Sequence, residues 1–79
     1  MNIKILGSGC ANCKRLEALT RETATELGIS AEFEKVTDHV QIMEYPILST
    51  PGLVIDGKVV SSGRIPAKSE IAAWLRASA

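Results

Sequence analysis

Two cysteines, Cys10 and Cys13, are the side chains of this sequence best suited to covalent chemistry. Only Ala11 and Asn12 separate them, so the two thiols are close enough to form and break a disulfide with each other. They follow a Gly-Ser-Gly segment and open a helical pattern, where unpaired N–H groups and the helix dipole stabilise a thiolate. The pair therefore predicts thiol-disulfide exchange, with Cys10 as the attacking thiol and Cys13 as the thiol that displaces it from a mixed disulfide.

A structural disulfide is a poorer interpretation of the pair. A bridge between Cys10 and Cys13 closes only a very small loop, which lies at the weak end of disulfide stabilisation in the chain-entropy model. The neighbouring Lys14 and Arg15 add positive potential near the pair, although exposed charges contribute little and both also fit a solubilising helix face.

The elements around the pair follow from apolar periodicity. Residues 2–6 predict a strand that is buried largely on both faces. Residues 10–27 predict a helix that ends before Gly28, because glycine readily takes the left-handed conformation just past a last turn. The apolar side of this helix comprises Leu16, Leu19, Thr23, Ala24 and Leu27, and its outward side comprises Lys14, Arg15, Glu17, Arg21, Glu22 and Glu26.

The second half of the chain predicts one more strand, a short helix, a hairpin and a closing helix. Residues 31–36 alternate as a strand whose inward face is ambiguous, and a short helix capped by Thr37 or Asp38 runs to about Tyr45, before Pro46. Residues 53–55 and 59–60 form a hairpin, since Asp-Gly between β-rich runs favours a tight turn. The closing helix begins at Pro66 and buries one face that comprises Ala67, Ile71, Trp74 and Leu75.

Size and composition limit the classes of function. The chain has 79 residues, so residues 1–79 suit a single domain, and 46% hydrophobic residues suffice for one core. Nine basic and nine acidic residues are interspersed, which does not favour nucleic acid or an anionic membrane as a partner. The short apolar N-terminal run is not typical of a signal peptide, and no stretch approaches membrane-spanning length, so we expect a cytoplasmic protein. We also expect it to act as a monomer.

With the cysteine pair at a strand–helix junction and Thr50-Pro51 just before the hairpin, the sequence resembles the thioredoxin superfamily, especially its small glutaredoxin-sized prokaryotic members. The resemblance implies an α/β thioredoxin-like fold of order βαβ-α-ββα, with a four-stranded mixed sheet of order 2-1-3-4 flanked by helices. It also implies a cis bond before Pro51 and an extended substrate held by the backbone of Thr50. We expect Ala11 and Asn12, between the cysteines, to contact the substrate as well.

The sequence departs from typical family members around the site. Ala11-Asn12 replaces the Gly-Pro of typical thioredoxins and the Pro-Tyr of typical glutaredoxins, and Gly9 stands where thioredoxins have tryptophan. Residues 61–65, SSGRI, occupy the region where typical glutaredoxins carry Gly-Gly-x-Asp-Asp to help hold glutathione. The first strand has only Lys4 as a charged residue, so water or Cys10 itself is left as the base for Cys13.

Binding of a soft metal such as Cu(I) is the main alternative for the same cysteines. The pair resembles the sites of small copper chaperones, but those usually have methionine where this chain has Ser8, and their order ends in a strand. Zinc needs two further ligands, and the single histidine, His39, fits an exposed or capping position better than a ligand. We therefore predict no metal site.

A pure interaction module is the third class. Tyr45 and Ile47 could form an apolar rim near Thr50, although both also suit the core, as does Trp74. An intact dithiol favours exchange instead. The sequence thus predicts a thiol-disulfide oxidoreductase that needs no bound cofactor, reduces protein disulfides and is itself recharged by an unidentified upstream reductase.

Overall fold

The computed structural model of the protein describes residues 1–47 and 49–78. Four strands and three helices alternate in the predicted order βαβ-α-ββα. Their bounds are β1 Asn2–Leu6, α1 Ala11–Glu26, β2 Glu32–Val36, α2 His39–Ile42, β3 Gly52–Ile55, β4 Lys58–Ser62 and α3 Lys68–Ser78.

The four strands form one mixed sheet in the order β2-β1-β3-β4, as the family resemblance implied. β1 pairs with β2 in parallel, with Ile3 opposite Phe33. β3 lies antiparallel to both β1 and β4. Because parallel neighbours need a crossover, α1 carries the chain from β1 back to the start of β2. The end of β1 and the start of α1 therefore lie together at one edge of the sheet.

The sheet has an apolar core on each face. One cluster packs α1 and α3 against the sheet, and its fully buried members include Ile3, Leu16, Leu53 and Ile71. The other packs α2 against the opposite face through Leu6, Val36, Ile42 and Val54. β1 contributes to both clusters, which confirms that this strand is buried on both sides.

The ends of α1 and the hairpin follow the predicted local signals. Gly28 has φ +69°, in the left-handed region, one residue beyond the C-cap of α1. Asp56 and Gly57 have φ values of +48° and +83° and connect β3 to β4. Two successive residues with positive φ make the tight turn whose twist matches that of an antiparallel pair, as the Asp-Gly sequence predicted.

α2 and α3 are shorter than the sequence predicted. α2 ends at Ile42, because the Tyr45 amide donates to the Ile42 carbonyl in a tighter turn in place of a further helical bond. α3 begins at Lys68 and not at Pro66, and the Ala67 amide just before it donates to the carboxylate of Glu70. The prediction that Ala67 is buried is wrong, since it is exposed, whereas Ile71 and Leu75 are buried as predicted.

No helix within the described residues is long and apolar enough to cross a membrane.

Candidate active site

The two cysteines lie where β1 ends and α1 begins. Gly9, with φ +86°, turns the chain, and Cys10 follows as the N-cap of α1 with an extended backbone. The Cys13 amide donates to the Cys10 Sγ at 3.2 Å, in the way that the side-chain oxygen of Ser or Asp accepts at other helix starts. Cys10 and Cys13 are joined by a disulfide, and their Cα atoms are 5.1 Å apart.

The two cysteines differ in accessibility. Cys10 is exposed at the edge of the sheet, whereas Cys13, one turn into α1, is only 5% exposed and belongs to the buried side of the helix. Ala11 and Asn12 lie between them in the first turn of α1, and both are exposed. An incoming molecule can therefore reach Cys10 and the two intervening residues but not Cys13.

Gly7 has a role that its sequence context did not indicate. It is buried, and a Cβ added to it would overlap the Sγ of Cys13 and lie 3.2 Å from its Cβ. The absence of a side chain at Gly7 thus makes the space that the sulfur of Cys13 occupies. From the sequence, Gly7 indicated only the end of the first strand. The local pattern does not predict which side chain packs against this glycine.

Thr50 and Pro51 border the same place from β3. The peptide bond between them is cis, as the resemblance implied, Pro51 is buried and Thr50 is exposed. The Cβ of Thr50 lies 3.9 Å from the position that a Cβ on Gly7 would take. Thr50 and Cys13 therefore both approach Gly7. The Pro51 carbonyl accepts from Gly63 at 2.9 Å, while among the described residues no backbone hydrogen bond engages the Thr50 amide or carbonyl.

An ion pair lies one turn beyond Cys13 along α1. Glu17, one turn further along α1, accepts from Arg21 at 3.0 Å and approaches the Lys35 Nζ at 3.3 Å, and a small cavity is bordered by Cys13, Glu17 and Lys35 together. Burial raises the pKa of the Glu17 carboxyl, but the hydrogen bonds from Arg21 and Lys35 outweigh this and lower the pKa overall. Glu17 is thus held as a carboxylate at the cavity that Cys13 also borders.

Lys4 points to the other face of the sheet. Its ammonium donates to the Tyr45 hydroxyl at 3.2 Å, and this hydrogen bond raises the pKa of Lys4. The first strand therefore places no acid near Cys13, in agreement with its sequence. The carboxylate that borders the cavity comes from α1, where the helical periodicity had assigned Glu17 only to the outward face.

A groove runs from the cysteine edge over α2. His39 is exposed as predicted, and the structure adds that it shares this groove with Thr50, which the sequence did not indicate. Tyr45 and Ile47 are half-buried and pack on the α2 core, and Ile47 also borders the groove. The residues that line the groove are Ser8, Thr37, His39, Ile42, Met43, Ile47, Ser49 and Thr50.

The described residues contain no group of three or more His, Cys, Asp and Glu side chains placed to hold a metal ion. Lys14 and Arg15 are exposed on α1, which agrees with a solvated helix face. Trp74 is half-buried and packs against the core on the α3 side, as predicted.

Comparison with known proteins is consistent with this geometry. Residues 1–76 match a family described as a thioredoxin domain. The chain is 49% identical over 71 residues to a protein named thioredoxin from Methanothermobacter thermautotrophicus, and the match covers 90% of this chain and 92% of that protein. It is 41% identical over 69 residues to a protein of the same name from Methanocaldococcus jannaschii, covering 87% and 79% respectively. The segment that matches the family contains both cysteines and Thr50-Pro51.

Proposed function

Because the chain belongs to the thioredoxin family and carries the Cys10–Cys13 disulfide, it is a thiol-disulfide oxidoreductase, and we propose that Cys10 attacks the substrate and Cys13 releases it. The observation that carries this assignment is the difference in accessibility between the two residues, since Cys10 is exposed and Cys13 is buried. A disulfide on another protein can approach only the exposed sulfur, so the first bond must form there.

The exchange balances without any bound group. The Cys10 thiolate attacks one sulfur of a substrate disulfide, the substrate S–S bond breaks, and the departing thiolate takes a proton. The Cys13 thiolate then attacks the Sγ of Cys10, breaks the mixed disulfide and frees the second substrate thiol. Two electrons and two protons have passed to the substrate, and the Cys10–Cys13 disulfide is what remains.

The start of α1 favours the thiolate of Cys10 over its thiol. The Cys13 amide already points at the Cys10 Sγ, and no acidic residue lies in the first turn of the helix to oppose a negative charge. N–H groups and the helix dipole stabilise a nearby anion most within the first turn. Cys10 is accordingly the better nucleophile and, in the second step, the better leaving group.

Thr50 and Pro51 hold the substrate in an extended conformation beside Cys10. The amide and carbonyl of Thr50, which no backbone group of residues 1–47 and 49–78 engages, offer one donor and one acceptor, which is what an added β-strand requires. Ala11 and Asn12 supply the other wall of the contact, since both are exposed next to Cys10. The protein acts in this proposal as one domain, as a cytoplasmic monomer, on protein disulfides, with an unidentified reductase upstream.

The proposal is tested by titrating the purified protein against buffers of defined dithiol redox poise. Thiols are alkylated at each poise and the Cys10–Cys13 disulfide is followed by mass. We expect one two-electron transition. Its midpoint gives the reduction potential of the pair, which determines whether the protein mainly reduces or oxidises its partners. A pair that stayed reduced at every poise and bound one equivalent of Cu(I) would instead assign the cysteines to metal binding.

A further inference from the structure

Two cations, Lys14 and Arg15, follow the reactive cysteine on the outer side of α1. Both residues are exposed, and neither forms an ion pair within residues 1–47 and 49–78. The Lys14 amide donates to the Cys10 carbonyl at 3.1 Å, so Lys14 lies one helical turn after Cys10. Residues four apart on a helix have Cβ atoms roughly 5–6 Å apart, and the Lys14 side chain therefore begins beside Cys10.

The two cations border different sides of the helix start. Lys14 borders the small cavity that Gly9 and Cys13 also border, on the side of β2. Arg15 borders a surface depression together with Ile65, which belongs to the loop between β4 and α3. A disulfide that approaches Cys10 over α1 therefore meets a positive charge on each side.

The acids that border the same two places do not cancel these charges. Glu17 is shared between Arg21 and Lys35, at 3.0 and 3.3 Å, so this cluster of three residues keeps one positive charge. Glu22 lies 3.8 Å from the Lys68 ammonium and is seven residues beyond Arg15, which is about 10 Å along the helix axis.

The positive charge beside the cysteines is a local feature. The whole chain has nine basic and nine acidic residues, so it has no net charge to attract an acidic partner at long range. The first turn of α1 contains no acidic residue, and the N-terminal end of the helix dipole adds to the positive potential there. An attraction for acidic groups is therefore directed to the start of α1, where the exchange takes place.

We propose that the protein disulfides reduced by this chain carry acidic side chains within two residues of the cysteine that Cys10 attacks, and that Lys14 and Arg15 attract these side chains. The inference rests on the proposed function and adds a preference for substrate charge to it. A substrate extended beside Thr50 advances roughly 3.3 Å per residue, so a residue two positions from its cysteine lies about 6.6 Å away. Salt at physiological concentration screens a charge only beyond about 8 Å.

Exposed cations of this kind affect association more than folding. A single surface ion pair contributes little to stability, because water and salt screen it. Charges around a binding site nevertheless raise the rate of encounter with an oppositely charged partner, and this effect falls as salt is added. The preference should therefore appear in the second-order rate constant and depend on salt.

The test compares two peptide disulfides, each a symmetric dimer of a five-residue peptide with blocked ends. One peptide is Glu-Gly-Cys-Gly-Glu and the other is Gln-Gly-Cys-Gly-Gln, which has the same shape without the charge. The protein is reduced, freed of reductant and mixed with each disulfide, and the ratio of the two rate constants is divided by the same ratio for dithiothreitol. This division removes the difference in intrinsic reactivity between the two peptides.

The variants change the charge near the site or far from it. The double variant Lys14→Gln, Arg15→Gln removes both cations, and Lys14→Glu, Arg15→Glu reverses them. The matched control is Lys58→Gln, Arg76→Gln, which removes two exposed cations at the start of β4 and in the last turn of α3. A change in the reactivity of Cys10 itself would affect both peptides alike and would cancel in the ratio.

We expect the wild type and the Lys58, Arg76 control to prefer the glutamate peptide roughly fivefold at an ionic strength of about 10 mM, and less than about twofold at 1 M. The glutamine double variant should lose most of this preference, and the glutamate double variant should prefer the neutral peptide. A wild-type ratio of one, a ratio unaffected by salt, or a preference that survives charge reversal would overturn the proposal.

A neutral substrate separates failure of this inference from failure of the proposed function. Hydroxyethyl disulfide carries no charge, so the wild type and the control should reduce it at equal rates that do not change with salt. If the wild type did not reduce it at all, the proposed function itself would fail. If the wild type reduced it but did not distinguish the two peptides, only the charge preference would be wrong.

Discussion

Cys10 is an exposed residue at the N-cap of α1, whereas Cys13, one turn later, packs against Gly7. These surroundings, and not the thiols themselves, are the reason why we propose different steps for the two residues. An accessible sulfur can attack, and a buried neighbour can only complete the exchange that the first one began.

Single substitutions of the cysteines should therefore fail in different ways. Cys13→Ser removes the release step, so incubation with a peptide disulfide should accumulate a mixed disulfide through Cys10, seen as one added peptide mass per chain. Cys10→Ser should form no adduct and should reduce the disulfide no faster than buffer. Normal turnover by Cys13→Ser would show that the roles are assigned wrongly.

Gly7→Ala tests the contact beneath the buried sulfur. A methyl group at Gly7 would overlap the Cys13 Sγ, and overpacking of this kind costs about 1–3 kcal/mol of unfolding free energy. The measurement is urea unfolding of the reduced protein.

The matching control for Gly7 is a double-mutant cycle. In a Cys13→Ala background the Sγ is absent, so Gly7→Ala should cost less than half as much there. An equal cost in both backgrounds would mean that Gly7 is required for its own backbone and not for the sulfur of Cys13.

Among the secondary-structure elements, α3 has a start that depends on one carboxylate. Glu70 accepts from both terminal nitrogens of Arg64, at 3.1 and 2.8 Å, and from the Ala67 amide at 3.0 Å. The hydrogen bond from Arg64, together with that from Ala67, lowers the pKa of Glu70 to about 2 from 4.5. The ionised carboxylate thus ties the loop after β4 to the first turn of α3.

This arrangement predicts a pH dependence of stability. Because the pKa of Glu70 is lower in the folded state, its contribution is complete above pH 4.5 and is lost as the pH falls toward 2. Glu70→Gln should therefore be less stable than the wild type at pH 6, and the difference in unfolding free energy should shrink between pH 4.5 and 2. Urea unfolding at several pH values measures it.

Arg64→Gln is the partner control for Glu70. It removes the largest cause of the lowered pKa, so in that background Glu70→Gln should produce a much weaker dependence on pH. A difference between wild type and Glu70→Gln that stays constant from pH 6 to pH 2 would contradict the assigned role.

Across the molecule, the two cores hold the sheet edge that carries the site. The core on the α1 and α3 side joins the helix capped by Cys10 to β1 and β3 through fully buried residues, among them Leu16, Leu53 and Ile71. Gly7 follows β1 and Pro51 precedes β3, so the relative position of these strands sets the distance between the cysteine pair and Thr50-Pro51.

Ile71→Ala should be strongly destabilising. Its side chain is fully buried between α3 and the sheet, and truncating a buried isoleucine costs about 2–5 kcal/mol. Since domains have only about 0.05–0.15 kcal/mol of stability per residue, the loss should be a large part of the total. Urea unfolding midpoints measure it, and Val40→Ala, at a position 70% exposed, should change them little. Similar losses for both variants would argue against the described core.

Features that depend on neighbouring residues could be predicted from the sequence. The cysteine pair at a strand–helix junction, the glycine stop after α1 and the Asp56-Gly57 turn are each specified within a few residues, by hydrogen bonds and dihedral preferences that do not need the rest of the chain. Strand order and the cis bond before Pro51 came from the family resemblance, and both agree with the structure.

The surroundings of the sulfurs, in contrast, depend on the folded chain. Gly7 contacts Cys13, Glu17 pairs with Lys35, and Met43 shares a groove with Thr50, because different strands, helices and loops pack together in the folded chain. Alternation in β2 did not reveal its inward face, since charged and apolar residues there occupy both sides. Periodicity indicates which residues of one element share a face, but the partner of that face is set by the packing of the whole sheet and its helices.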